Sequence, residues 1–378
     1  MFGGKIVKTQ GGLLLLFFVC LIRQSYGGCN AAGDYYSSIP ALSAGAPSLT
    51  DRASWQDLVT DLITLLSETH VRVDYTDTSD DIDVWHAMKE IDRDPVLSND
   101  TTTYVKMVYA NTSLLFESKE RSAWTREHCF VKSYGLSTSG VDYSDIHNLL
   151  PSIQAVNSAR GTKYYDDCDS GVDATCKMPG HADAASDTGT NIDSTSLPRW
   201  MPPAQMRGDL ARSNMYTALR YNGSATESYT EQLTLSACPC KKLYQGGNLT
   251  TLLRWADEDP VSNTEMVRNN LTCYHWQHNR NPFVDYPWLK QMFLVDPPLS
   301  EVKSDCPAGW THPDNGVCDD TITTDDGEDE AVSVAPTSRP SAAPGCNHSE
   351  YYNSIPALSA GAPSLTDRAS WQDLVTDL

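Results

Sequence analysis

The chain has 378 residues, with 28 Lys+Arg against 49 Asp+Glu and a formal net charge of −21. At ~100–200 residues per domain, the length allows one large domain or two to three smaller ones. The composition, 40% hydrophobic and 20% charged, excludes global disorder, and taken whole the acidic balance counts against a protein that must approach phosphate.

Residues 1–28 read as a cleaved export signal. Lys5 and Lys8 form a charged start, residues 11–22 are apolar, and Ser25 and Gly27 are small residues flanking a cleavage position. The apolar run is shorter than the ~20 residues a bilayer-spanning helix needs, so no membrane span is expected. Residues 48–70 follow as an amphipathic helix with Leu58, Leu62, Leu65 and Leu66 on one face, and residues 83–92 as a shorter one. A strand is expected at 105–109 and a helix within 145–159, beginning near Asn148-Leu149. Residues 165–196 are rich in Asp, Ser and Thr and read as a surface excursion. Further helices are expected at 208–221, 250–256 and 265–278, giving a helix-rich α+β domain.

Residues 303–345 read as a linker. Residues 314–330 hold eight acids and no Lys or Arg, and a Pro/Ser/Ala-rich stretch follows. Residues 351–378 then repeat residues 35–62 with one difference, Asn353 for Ser37. That offset is far above the ~20–50 residues of a solenoid unit, so residues 346–378 read as the start of a second copy of the domain at 29–302.

Eleven cysteines occur, of which Cys20 lies in the leader, and the remaining ten lack the C-x-x-C spacing of a zinc site. Disulfides in an oxidising compartment are the expectation, with Cys129 as one partner. Six N-x-[ST] sequons, at Asn99, Asn111, Asn222, Asn248, Asn270 and Asn347, suit a secreted glycoprotein.

Three segments carry most of the chemistry: Trp124-Thr125-Arg126-Glu127-His128, Asp145-Ile146-His147-Asn148-Leu149 and Val156-Asn157-Ser158-Ala159-Arg160. A regular strand would point Glu127 and His128 to opposite faces; a turn or bulge would let them converge. In order with Trp200-Met201-Pro202-Pro203, Arg207-Gly208-Asp209-Leu210-Ala211-Arg212, Asp259-Pro260-Val261-Ser262 and Asn279-Arg280-Asn281-Pro282-Phe283, the chain resembles the endonuclease I family over about residues 35–290.

The resemblance implies a ββα-metal (His-Me finger) core and a secreted, largely nonspecific nuclease acting on DNA and in principle on RNA, with 5′-phosphate and 3′-hydroxyl products. Glu127 and Asn157 would ligate one divalent ion, Mg²⁺ or another such as Mn²⁺ or Ca²⁺, and His128 would be the general base. Arg160 and Arg212 are the candidates for phosphate, with Arg126, His147 and Asn148 in support. The chain departs from the family in Cys129-Phe130-Val131-Lys132-Ser133, where V-W-P-K-S is usual. A nucleic-acid substrate and no obligate protein partner are expected. The alternative reading is a catalytically weakened extracellular binding module.

The charge objection weakens when it is counted by region. Residues 121–160 carry four Lys/Arg against three acids, and residues 199–290 carry ten against eight. The deficit sits in 314–330 and in 166–193, so a shallow salt dependence of nucleic-acid binding is expected.

Overall fold

The computed structural model describes residues 28–295, except 77–81, 117–122, 192–197, 224–231, 238 and 240–243. The chain divides into two units, Met1–Cys318 and Asp319–Leu378, and all described residues lie in the first. The leader, the linker and the repeated segment therefore fall outside the described residues.

Helix α1 (Arg52–Thr69) is capped by Asp51, which accepts the Ser54 N–H at 3.2 Å. Asp83 caps α2 (Val84–Ile91) in the same way through His86 N–H at 3.1 Å. Such caps satisfy N–H groups that have no partner inside the helix. Both helices lie where the apolar spacing put them. Strands β1 (Tyr104–Lys106) and β2 (Ser113–Leu115) form a short antiparallel pair. Strand β3 (Trp124–His128) then pairs antiparallel with β4 (Leu149–Ile153), Glu127 opposite Leu150 and His128 opposite Leu149, with no bulge between them.

Helix α3 (Gln154–Arg160) follows β4 without a loop. The helix expected near Asn148-Leu149 thus begins six residues late, because residues 149–153 pair with β3 and Pro151 has no N–H for a helix interior. Gly161, at φ 53°, ends α3 by a turn in which its N–H bonds the Asn157 carbonyl at 2.8 Å.

The acidic stretch after α3 is more ordered than its composition suggests. It contributes β5 (Tyr164–Tyr165), β6 (Cys176–Lys177) and β7 (Gly189–Asn191) to a four-stranded sheet completed by β8 (Arg199–Met201). The Cys168–Cys176 disulfide ties it together. Helix α4 (Arg207–Arg220) is buried along almost its whole length, and α5 (Leu249–Glu258) packs against it. Strands β9 (Thr234–Ser236) and β10 (Gln245–Asn248) pair in parallel. The last expected helix shortens to α6 (Asn263–Leu271), followed by a wider π turn over Thr272–Gln277.

Two apolar clusters hold these elements. The larger joins α1, α4 and α5 through Leu62, Leu66, Leu210, Met215 and Trp255, and it reaches Phe130 and Val156. The smaller joins α2 and β1 through Trp85, Met88 and Val105, and it takes Trp124 and Leu149. The β3–β4 pair is therefore packed from both sides, which immobilises the backbone that carries Glu127 and His128. A second disulfide, Cys29–Cys273, joins the start of the described chain to the π turn.

Cys129 corrects the expectation of a disulfide partner: it is free and wholly buried, and burial pushes its thiol up to about 12, which makes it inert as a thiolate. No described helix is long and apolar enough to cross a membrane.

Candidate active site

Strand β3 and helix α3 form the walls of a cleft of about 220 Å³. Its lining includes Arg126, Glu127, His128, Lys132, Asn157 and Arg160. Helix α3 docks on β3 through two side chains one turn apart. Asn157 Nδ2 donates to the Arg126 carbonyl at 3.4 Å, and the Arg160 guanidinium donates to the carbonyls of His128 (3.1 Å) and Cys129 (2.9 Å). Spacing of i and i+3 puts both on the same helix face. The three-residue separation read in the sequence is therefore what brings Asn157 to the strand that carries Glu127.

Glu127 and His128 both line this cleft although β3 is regular, and their side chains take different partners, Tyr109 and Arg160 for Glu127 and Tyr143 for His128. Glu127 is 2% exposed. Its Oε1 accepts from the Tyr109 hydroxyl at 2.9 Å and from Arg160 Nη1 at 2.7 Å. Its Oε2 takes no hydrogen bond among the described residues. Burial raises the Glu127 pKa, against the lowering charge of Arg160 and the bond from Tyr109.

His128 Nε2 lies 3.0 Å from the Tyr143 carbonyl. A carbonyl can only accept, so Nε2 carries the hydrogen and Nδ1 keeps its lone pair. Burial lowers this pKa to about 4, opposed by the Tyr143 carbonyl and aided by Lys132, Arg126 and Arg160. Burial therefore leaves the ring neutral throughout the neutral range.

The other sequence candidates separate by position. Arg160 is at the cleft, but its guanidinium bonds Glu127 and two carbonyls and stacks on Tyr165 at 4.5 Å. Arg212 is not among the cleft's lining residues; Glu265 grips it at 2.7 and 2.6 Å, Asp209 at 3.0 Å and the Asp259 carbonyl at 2.9 Å. Arg126 stacks over Tyr75 at 3.5 Å and Trp85 at 4.3 Å and so braces the strand.

His147 is buried, with Nε2 3.1 Å from the Asn279 carbonyl, and lies outside the cleft. Asn148 accepts the Phe130 N–H at 2.7 Å and shapes the chain just after His128. Of the sequons, Asn99 and Asn111 are exposed. Asn248 caps α5 and bonds Asp166, while Asn270 accepts from Arg280, so both amides are engaged within the fold. Asn347 lies outside the described residues.

Sequence reasoning did not find Tyr109, which reaches Glu127 from another segment, or the Tyr143 carbonyl, which sets the His128 tautomer. Neither carries a local signal. Lys132 also lines the cleft, from the segment just after His128.

The sequence is 34% identical over 214 residues to an extracellular ribonuclease of Bacillus amyloliquefaciens, covering 56% of this chain and 67% of that protein. It is 34% identical over 218 residues to an extracellular ribonuclease of Bacillus subtilis (strain 168), with the same shares. The family model described as Endonuclease I matches residues 55–288, which include both strands and the helix of the cleft, and the chain belongs to the endonuclease I family.

Proposed function

We propose that the protein is a secreted, metal-dependent nuclease that hydrolyses phosphodiester bonds in RNA and DNA. The observation that carries this reading is the set of unengaged lone pairs in one cleft. Glu127 Oε2, Asn157 Oδ1 and His128 Nδ1 take no hydrogen bond among the described residues, although the groups that bear them line one cavity.

One carboxylate and one amide oxygen fit a hard cation that keeps several waters. Among the described residues no cluster of three or more His, Cys, Asp and Glu forms a cage that would close the coordination sphere. Glu127 and Asn157 would hold the ion, and when bound it would supply Lewis-acid stabilisation of charge on the phosphate and the departing oxygen.

His128 Nδ1 takes the proton of a water that attacks phosphorus in line. The P–O3′ bond breaks and the departing oxygen takes a proton from solvent, leaving a 5′-phosphate and a 3′-hydroxyl. Tyr143 holds the imidazole in the tautomer this needs. Because water and not the 2′-hydroxyl attacks, the same groups act on either sugar. The two relatives' names support RNA as one substrate and an extracellular site of action, and the two disulfides accord with an oxidising compartment.

The test is digestion of plasmid DNA and of single-stranded RNA by the purified mature protein, with Mg²⁺, Mn²⁺ or Ca²⁺ and with EDTA. Cleavage with a divalent ion that EDTA abolishes is expected. Undiminished cutting in EDTA would remove the metal from the reading. Saturable binding without cleavage under all ions would favour the binding module.

A further inference from the structure

We propose that Lys132 is the cation that contacts a nonbridging oxygen of the scissile phosphodiester. The inference rests on the nuclease reading above and adds the residue that grips the substrate. Three cationic side chains line the cleft: Arg126, Lys132 and Arg160.

Two of them are committed to the fold. Arg160 is 2% exposed, and its guanidinium is taken up by Glu127, two backbone carbonyls and the Tyr165 ring. Arg126 bonds the Tyr75 carbonyl and, at 3.1 Å, Thr76 Oγ1, and it lies over the rings of Tyr75 and Trp85. Moving either to a phosphate would break these contacts and leave carbonyls or a carboxylate unpaired inside the protein. Lys132 is exposed, and its one contact among the described residues is the Tyr143 ring, 5.4 Å from Nζ to centroid.

That contact also says where the charge rests before substrate arrives. Tyr143 accepts the His128 Nε2–H with its carbonyl and carries the Lys132 ammonium on its ring. One residue thus holds the base and the free cation on the same side of the cleft. A cation–π contact at an exposed site is weak, so the ammonium leaves it readily for a phosphate oxygen. Lysine's flexible stem and compact charge suit a phosphate that arrives in many sequence contexts. Negative charge on the phosphoryl oxygens grows in the transition state, so a cation placed there raises the rate as well as the affinity.

The test compares the wild type with Lys132→Met and Lys132→Arg in two assays, after thermal unfolding has shown that the exposed substitutions leave the fold intact. The first is binding of a single-stranded oligonucleotide in EDTA over a range of KCl. Loss of one phosphate contact should make the slope of log K against log salt shallower by about 0.7 in Lys132→Met. The second is cleavage with a divalent ion, where kcat/KM should fall about 100-fold in Lys132→Met and recover most of the way in Lys132→Arg. An unchanged salt slope, or a kcat/KM for Lys132→Met equal to that of the wild type, overturns the assignment. If the wild type cleaves nothing, the nuclease reading fails and the salt slope alone decides the role of Lys132.

Discussion

Glu127 in the cleft and Asp145 in the buried polar centre are both carboxylates almost wholly out of water. Every acceptor position on Asp145 is used. Its Oδ1 takes the His147 N–H at 2.9 Å and Gln277 Nε2 at 2.8 Å, and its Oδ2 takes the hydroxyls of Tyr216 and Tyr221 at 2.9 and 2.8 Å. On Glu127 only Oε1 is bonded, by Tyr109 and Arg160. The titration of the two follows the same difference. Burial raises both, but at Asp145 the nearby histidines and the bonds from Gln277 and Tyr221 outweigh it and the pKa falls. At Glu127 burial wins over Arg160 and Tyr109 and the pKa rises. A buried polar group is stable when it is satisfied and available when it is not. The same residue type is thus fully satisfied in one place and left with a free acceptor in the other.

The comparison breaks most directly at the two histidines and the two carboxylates. His128→Ala removes the free lone pair together with the ring's bond to the Tyr143 carbonyl and its contacts with the Tyr75 and Tyr143 rings, so kcat should fall about 10²–10⁴-fold while the fold loses less stability than in Asp145→Ala. A His128→Ala protein that cuts at full rate would end the general-base assignment. Asp145→Ala should do the reverse. It leaves two tyrosine hydroxyls, an amide and a backbone N–H without their acceptor, at a cost on the order of 3 kcal/mol or more in urea unfolding. The rate per folded molecule should hold, because His147 and Asp145 lie outside the cleft. A rate loss as large as that of His128→Ala would mean that the polar centre takes part in the reaction.

What was legible in the sequence divides along the same line. Glu127, His128, Asn157 and Arg160 sit within two local segments, so their spacing could be read directly. Helices α1, α2 and α4 were legible because their apolar periodicity is also local. The partners that decide what those residues do are not local. Tyr109 bonds Glu127 across 18 positions, and Gln277 bonds Asp145 across 132. The start of α3 was misplaced for the same reason. Pro151 argues locally against a helix interior, but only pairing with β3 makes Leu149–Ile153 a strand. The acidic stretch after α3 looked like a surface loop because composition does not reveal a sheet held by one short disulfide and by pairing to β8. Arg160 was read as free to bind phosphate, and only the contacts show that Glu127 and the β3 backbone already hold it.

The smallest expected effect tests whether the polar centre is as fully satisfied as the bonds on Asp145 suggest. His70 is buried there with neither ring nitrogen hydrogen-bonded among the described residues, and its Nδ1 is 3.8 Å from Asp145 Oδ2. Burial lowers its pKa to about 4, which the Asp145 charge resists and the charges of Arg220 and His147 assist. His147 is lowered to about 4, first by burial. In the unfolded chain both return to the ordinary value near ~6.5. Between those values the unfolded chain binds protons that the folded chain refuses, so stability falls as the pH falls from about 6.5 to 4. Each histidine adds up to about 1.4 kcal/mol per pH unit, and His128 adds to the loss with the same sign. Asp145, whose pKa is lowered, loses its contribution only below the usual carboxylate range and leaves this window alone. His70→Leu removes one of these proton acceptors and an unpaired imidazole together. Urea unfolding of His70→Leu between pH 4.5 and 7 should show a slope with pH shallower by up to about 1.4 kcal/mol per unit, and greater stability than the wild type at pH 5. A slope identical to that of the wild type would mean that His70 is protonated in the folded protein and ion-paired with Asp145, so that both carboxylates, and not Glu127 alone, depend on a buried cation.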